Sequence, residues 1–337
     1  MDVLSDVLSV CRSEHAVSAR FALTAPWGLQ SSGVPGSLIR MARGAPFWMQ
    51  VKGGEPFRVA AGDLVMLPLG APHILCSKPG VAAEPFANLI ARHRVGAPDE
   101  NPLVFAHGGG GALTDMFTTQ VWFSAYCRHS VLSILPPVIH IRHRDLDVAN
   151  GLAITMESLV VETLAQRPGW RLSTARLGEL LLVNIVREHL EVTGTSALGA
   201  GWLRGLSDAG IARAIMNMHQ QPGQGWTVES LAREAGMSRT RFASSFKELV
   251  GVTPIHYLTS HRMALVAEQL EGGRQSQAQI AQDVGYESDK VLARAFRRWS
   301  GVTPSAYVRR EKCRRPGTTA YEIAEQALSG TGSKIEG

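Results

Sequence analysis

The chain has 337 residues, 45% of them apolar and 19% charged, with a net charge of +5. That length predicts two domains, and the composition supplies a sizeable core and excludes general disorder. No continuous apolar run reaches the roughly eighteen residues of a spanning helix, so a membrane span is excluded as an expectation.

The N-terminus, MDVLSDVLSVCRSEH, is acidic and lacks the basic start of a secretory signal. Cys11, Cys76, Cys127 and Cys313 are scattered without a C-x-x-C pair. A disulfide framework or zinc finger is therefore not expected, and a cytoplasmic location is. The final residues, SGTGSKIEG, have linker composition and predict no packed element. Charge is uneven along the chain. Residues 1–207 carry 17 Lys+Arg against 16 Asp+Glu, residues 208–315 carry 16 against 10, and residues 316–337 carry 1 against 3. The basic excess sits in 208–315, which points to a polyanionic partner for that segment.

Residues 20–145 are rich in Gly and Pro, with short apolar runs such as PFRVAAGDLVMLPLG and QVWFSAYC. This predicts short strands in a sandwich or barrel. Within it, GDLVMLPLGAPHILCS (62–77) is similar to the second signature of cupins, with Gly62, Pro68, Gly70 and His73 at the family's spacing and Ser77 where that pattern has Asn. The resemblance implies a cupin-like barrel, which in that family often holds a metal by three His and one Glu. Here, counting from Gly44, the positions of the first signature hold Gln50 and Lys52, with Glu55 following. One imidazole, one carboxylate and a cationic Lys make a poor divalent site, so no metal, no cofactor and no catalytic residue is expected. The arrangement resembles a degenerate, sensor-type cupin, and the resemblance implies effector binding, with His73 of the signature as a candidate and Arg40, Trp48 and Gln50 as further candidates from strand alternation. HGGGGA (107–112) lacks the Lys-Ser/Thr ending of a phosphate loop and reads as a flexible loop. Alternation along a strand would put Cys127 and His129 on one face. Like His140 and His143, they read as strand residues near a surface, because further ligands cannot be placed. Cys11, Cys76 and Cys127 each lie within two residues of Arg or Lys. They carry an alternative reading of oxidant sensing, against the commoner case of small buried thiols.

Two helices follow, over 151–167 and 173–190. The second has Leu177, Leu180, Leu181 and Ile185 on one stripe. That stripe needs a partner, either a second copy of the chain or the barrel itself. Residues 193–207, TGTSALGAGWLRGLS, are glycine-rich and read as a linker.

From Asp208 the pattern is helical, over about 208–219, 227–235, 239–249, 255–270, 277–284, 288–299 and 304–312. FKELVGVTP (246–254) returns as FRRWSGVTP (296–304). Upstream of each copy stand an Ala (Ala232, Ala281), a Gly (Gly236, Gly285), an apolar residue (Met237, Tyr286) and a Ser N-cap (Ser238, Ser288). Each copy is a helix-turn-helix: Gly allows the left-handed turn, Ala allows close helix approach, and Gly-Val-Thr-Pro ends one helix and opens the next. Two such units can read major-groove segments roughly 34 Å apart. Residues 255–270 would supply a rigid spacer of roughly 24 Å.

Residues 208–312 resemble the DNA-binding domain of AraC/XylS-type transcriptional regulators, through WTVESLAREAGMSRTRFASSFKELVGVTPIHYL and IAQDVGYESDKVLARAFRRWSGVTPSAYVRR. By position, the resemblance puts Arg239, Thr240, Ala243 and Ser244 of the first recognition helix, and Asp289, Lys290, Ala293 and Arg294 of the second, toward the grooves. Lys247, Arg297 and Arg298 fall to phosphates. Phe242, Phe246, Leu292, Phe296 and Trp299 are read as core. The expected architecture is a two-domain α+β chain. Residues 1–192 form a cupin-like β-barrel plus helices for sensing and dimerisation, 193–207 a linker, 208–315 an all-α double helix-turn-helix, and 316–337 a tail. The expected function is sequence-specific transcription regulation, as an activator controlled by a signal sensed in the cupin-like domain. The expected partners are double-stranded promoter DNA, a small-molecule or oxidant effector, RNA polymerase and a second copy of the chain.

Overall fold

The computed structural model describes residues 3–8, 11–93, 103–143, 146–197, 202–206 and 208–314. The first elements are α1 (Val3–Leu8), β1 (Ser13–Thr24), β2 (Gly28–Ser31), β3 (Ser37–Gly44), β4 (Phe47–Val51), β5 (Phe57–Val59), β6 (Leu64–Leu67), β7 (His73–Cys76) and β8 (Glu84–Pro85). There follow α2 (Phe86–His93), β9 (Leu103–Gly108), β10 (Leu113–Phe123), α3 (Ala125–Ser130), β11 (Ile139–Ile141), α4 (Leu146–Ala165) and α5 (Trp170–Ala197). The remainder is helical: α6 (Trp202–Gly205), α7 (Ala209–Gln220), α8 (Val228–Glu234), α9 (Arg239–Val250), α10 (Pro254–Gly272), α11 (Gln277–Asp283), α12 (Asp289–Ser300) and α13 (Pro304–Arg314).

The chain divides into two compact units that do not follow sequence order. One takes Met1–Cys11, Ser124–Ile134 and His189–Arg315; the other takes Arg12–Phe123, Leu135–Glu188 and Pro316–Gly337.

The β-rich unit holds two sheets, ordered β11-β6-β3-β10-β1-β9 and β5-β4-β7-β2-β8. They are hydrogen-bonded as separate sheets, not as a closed ring, so the expected barrel is a two-sheet cupin-like domain. The two share one core: Phe21, Leu38, Val65 and Met116 from the first sheet meet Leu29, Met49, Val51 and Leu75 from the second. The turns between strands explain the cupin-like glycines. Gly70 has φ +61, and a Cβ there would stand 2.0 Å from the Val34 carbonyl oxygen, so only Gly fits. The helix α4 packs on β1 and β10. In α5, a Cβ on Gly178 would reach within 3.0 Å of Val121, so this helix also lies close on the first sheet. Of the expected stripe, Leu181 and Ile185 are buried, Leu177 is half-buried and Leu180 is 46% exposed. Leu181 and Ile185 are therefore covered within the chain, and Leu180 is left exposed. The same helix runs on to Ala197, into the stretch read as a linker.

The loop HGGGGA is more tightly held than expected. The Gly109 amide donates to the Thr24 carbonyl and the Gly111 amide to the Ala25 carbonyl, both at 2.8 Å, and the Gly110 amide donates to Thr24 Oγ1 at 3.0 Å.

In the helical unit, each predicted helix of 208–312 is present within a few residues of its expected bounds. Phe242, Phe246 and Phe296 are fully buried, each stabilising the fold by roughly 1.5–3 kcal/mol. The spacer helix α10 contributes Met263, Val266, Ala267 and Leu270 to a core shared with Ile280, Leu292, Phe296 and Tyr307.

Candidate functional site

The two helix-turn-helix copies are built alike down to single hydrogen bonds. Gly236 and Gly285 adopt left-handed φ of 69° and 77°. Behind each, the next amide reaches back over the turn: Met237 N donates to Ala232 O at 2.9 Å, and Tyr286 N to Ala281 O at 2.8 Å. Ser238 and Ser288 cap α9 and α12 by accepting from Arg241 N and Val291 N. Gly251 and Gly301 close both helices in the left-handed conformation.

This local chemistry fixes which face each helix turns outward. In α9, Arg239, Thr240, Ser244 and Lys247 are exposed and Ala243 is half-buried. In α12, Asp289, Lys290, Arg294, Arg297 and Arg298 are exposed and Ala293 is half-buried. The alternation of buried and exposed positions over 241–248 repeats over 291–298. All eleven expected DNA-facing residues thus lie on or at the rim of the two outward faces, with the phenylalanines beneath. Arg239 is held by Glu229 at 2.7 Å, and Asp289 accepts from the Lys290 amide at 2.8 Å, so both are engaged in the free protein. Val291, 37% exposed between Lys290 and Arg294, is an apolar side chain on this face that sequence reasoning missed. Its signal was the repeat itself, since its counterpart Arg241 is also exposed. A helix face of this kind offers guanidinium forks for guanine, and an apolar contact for a thymine methyl.

The β-rich unit contains a different kind of site. Arg40 on β3 shares its face with Leu38 and Ala42, which lie in the core between the sheets. Its Nη2 meets His73 Nε2 at 3.3 Å, and its Nη1 donates to Thr118 Oγ1 at 3.1 Å and to Met116 Sδ at 3.3 Å. His73 Nδ1 lies 2.8 Å from the Ala71 carbonyl. The ring therefore donates from Nδ1 and accepts from Arg40 at Nε2. Burial, then the Arg40 charge, holds His73 down at about 3, so the ring is neutral. Burial alone pulls Arg40 down to about 9. A guanidinium keeps its proton, so that shift expresses the cost of burying a cation without a counter-charge.

Two of the four effector candidates are placed elsewhere. Strand β4 buries Phe47, Met49 and Val51, which leaves Trp48 half-buried on the opposite face and Gln50 exposed, donating to Gly54 O at 3.1 Å. Lys52 and Glu55 are exposed as well. The cupin metal positions therefore do not converge on His73, whose two ring nitrogens are already engaged. The residues present do not fit a metal.

Two families match this chain: Cupin over residues 2–191, and Helix-turn-helix domain over residues 231–310. An AraC-like transcription regulator of Streptomyces antibioticus is 31% identical over 313 residues, covering 91% of this chain and 98% of that one. The chain belongs to the AraC family of transcription regulators. A second relative of this AraC-type chain, the HTH-type transcriptional regulator AlkR of Acinetobacter baylyi, is 28% identical, with 73% and 79% of the two chains covered. Among solved structures, the DNA-binding domain of AdpA in complex with a target DNA is 31% identical over 31% of this chain and 94% of its own, with a TM-score of 0.30.

The AraC-type helical unit also contains a segment from the middle of the sequence. Cys127 and His129 were expected on a strand. Strand β10 instead ends at Phe123, and Ser124 caps the helix α3. Tyr126 OH lies 3.3 Å from His261 Nδ1 on α10, and its amide donates to Glu268 at 3.0 Å. Arg128 pairs with Glu271 at 2.8 Å and Glu311 at 3.6 Å. His129 Nε2 lies 3.2 Å from Tyr307 OH, and its ring meets Trp299 edge-on at 4.7 Å. His140 does lie on a strand, β11, but its Nε2 is bonded to Asp63 at 2.8 Å, and the His143 amide donates to the same carboxylate.

Among the described cysteines, Cys11 and Cys127 are buried and Cys76 is half-buried. Cys11 and Cys127 are buried side by side. Burial first, and the hydrogen bond with Cys11 second, push the Cys127 thiol well above its usual value. Burial raises Cys76 as well. Arg128, next to Cys127 in sequence, is engaged by two carboxylates.

Proposed function

We propose that this AraC-type regulator binds double-stranded promoter DNA with α9 and α12 in successive major-groove segments. Arg239, Thr240, Ala243 and Ser244 read one segment, and Asp289, Lys290, Ala293 and Arg294 the next. Lys247, Arg297 and Arg298 hold phosphates. The observation that supports this most is the same outward face displayed on two helices fifty residues apart, with Lys290, Arg294, Arg297 and Arg298 exposed on the second. The DNA-binding part is 208–315, joined to the cupin-like part through 193–207. An effector in the cupin-like domain, at Arg40 and His73, shifts the balance between DNA-binding states. RNA polymerase and a second copy of the chain are the partners through which that shift acts. No chemical step is assigned, in keeping with relatives that are transcription regulators.

The test is the salt dependence of binding to duplex DNA, followed by fluorescence anisotropy of a labelled duplex with the full chain. The reading expects log affinity to fall linearly with log salt, at a slope set by the neutralised phosphates. Affinity unchanged by salt would remove the basic face from the interface.

A further inference from the structure

The helix α3 belongs to the helical unit although its sequence lies between two strands of the β-rich one. It has six residues, yet it reaches both helix-turn-helix copies. Tyr126, 1% exposed, places its OH 3.4 Å from His219 Nδ1 on α7 and 3.3 Å from His261 Nδ1 on α10. The helix α7 packs on α8 and α9, so this contact ties α3 to the first copy. The His219 ring stacks on His261 with centroids 4.1 Å apart, and its Nε2 meets Tyr257 OH at 2.8 Å. His129 ties α3 to the second copy, through Tyr307 on α13 and the Trp299 ring on α12. Tyr307 OH donates to Glu271 at 2.9 Å, so it accepts from His129 Nε2–H. Within 208–315 the copies are joined by α10 and by the loop after α7, whose Pro222 and Gln224 carbonyls accept from Arg262. The link through α3 is supplied from outside that segment. Apolar side chains would cover the same helices, but a satisfied buried hydrogen-bond network is directional and fixes one arrangement.

We propose that α3 is a brace that sets the distance between α9 and α12, with Tyr126 and His129 as its positioning residues. Neither residue touches DNA; each acts through the helix it holds. Ser124, the cap of α3, directly follows Phe123, the last residue of β10. A change in the first sheet therefore has a covalent route to the brace, and through it to the spacing that the two recognition helices read. The inference rests on the reading of α9 and α12 in successive groove segments.

The test puts the full chain and its Tyr126→Phe/His129→Leu variant through selection from a random duplex pool, and reads the spacing between the two enriched blocks. The wild type is expected to enrich one spacing. The variant is expected to enrich the same two blocks spread over neighbouring spacings. Duplexes with the blocks one base pair closer or farther apart are then titrated by fluorescence anisotropy. The wild type is expected to lose roughly tenfold on that shift, the size of one lost base contact. The variant is expected to lose no more than about threefold, since bonds worth about fivefold each no longer hold the brace. A merely stabilising role would not move this readout, because a less stable chain binds every spacing more weakly in the same proportion. One unchanged spacing in the variant, or an equal loss on the shift, would overturn the proposal. Absence of two blocks with the wild type would overturn the reading of α9 and α12 itself, and the brace with it. If the double variant does not fold, Tyr126→Phe, which keeps the ring and removes the hydroxyl alone, is compared in the same way.

Discussion

Arg40 Nη2 on β3 and His73 Nε2 on β7 meet at 3.3 Å, joining the two sheets beside their shared apolar core. The contact requires a neutral imidazole, because a protonated ring has no lone pair to accept with. Stability therefore depends on keeping a proton off His73.

His73 titrates at about 3 in the folded chain, against 6.5 for an unperturbed ring. Between those values the unfolded state binds more protons, so stability falls as pH falls from 6.5 toward 3. The slope for this one group approaches about 1.4 kcal/mol per pH unit. His219, which drops to about 4, and the buried His261 act in the same direction. Asp63, held low by the amides of His143 and Ala60 and by the His140 ring against its burial, adds a loss at lower pH. Urea unfolding at pH 7, 6, 5 and 4 should show this decline, and His73→Gln should flatten it. An equal slope in the variant would mean that the ring is not neutral when folded.

The turn glycines predict unequal costs. At Gly236 an added Cβ has nothing closer than Arg213 Nη2 at 3.6 Å, so Gly236→Ala should cost only the left-handed strain of about 1–2 kcal/mol. At Gly285 the Cβ would stand 2.3 Å from the Gly223 carbonyl oxygen. Gly285→Ala must move backbone as well and should cost distinctly more. Equal losses in denaturant melts would contradict the difference in packing.

The two arginines of α12 should separate base reading from phosphate holding. Arg294→Ala is expected to cost roughly 1–3 kcal/mol on the preferred site and to relax selection at one base. Arg297→Ala should weaken all duplexes alike and lower the salt slope by about 1. Binding profiles over a set of single-base variants give both answers, and a sequence-selective loss in Arg297→Ala would reverse the assignment.

Arg128 faces two largely buried carboxylates, Glu271 and Glu311. Arg128→Ala leaves them without this cation and should destabilise the helical unit by roughly 3 kcal/mol, the low end for breaking a buried pair. Adding Glu271→Gln should recover part of the loss. A loss below about 0.5 kcal/mol would class the contact with ordinary surface pairs.

The helix-turn-helix copies were readable from sequence because their determinants are local: a left-handed Gly, a Ser cap and a Pro at the first helical position act within a few residues. The strand phase was not. Period-two alternation put either Trp48 and Gln50 or Met49 and Val51 inside, and only pairing with Leu75 and His73 on β7 decided it. The helix α3 was read as strand because QVWFSAYC is continuous in apolar character, and the partners of Tyr126, Arg128 and His129 lie 135, 143 and 178 residues away. Arg40 was visible as a candidate, but its lack of a counter-charge is a property of the packed core.

The most direct measurement of the central claim is selection of bound duplexes from a random DNA pool with the full chain. Two recognition helices on a rigid spacer predict an enriched site with two short blocks about one helical turn apart. Enrichment of a single block, or of none under conditions where the chain is folded, would contradict reading by α9 and α12 together.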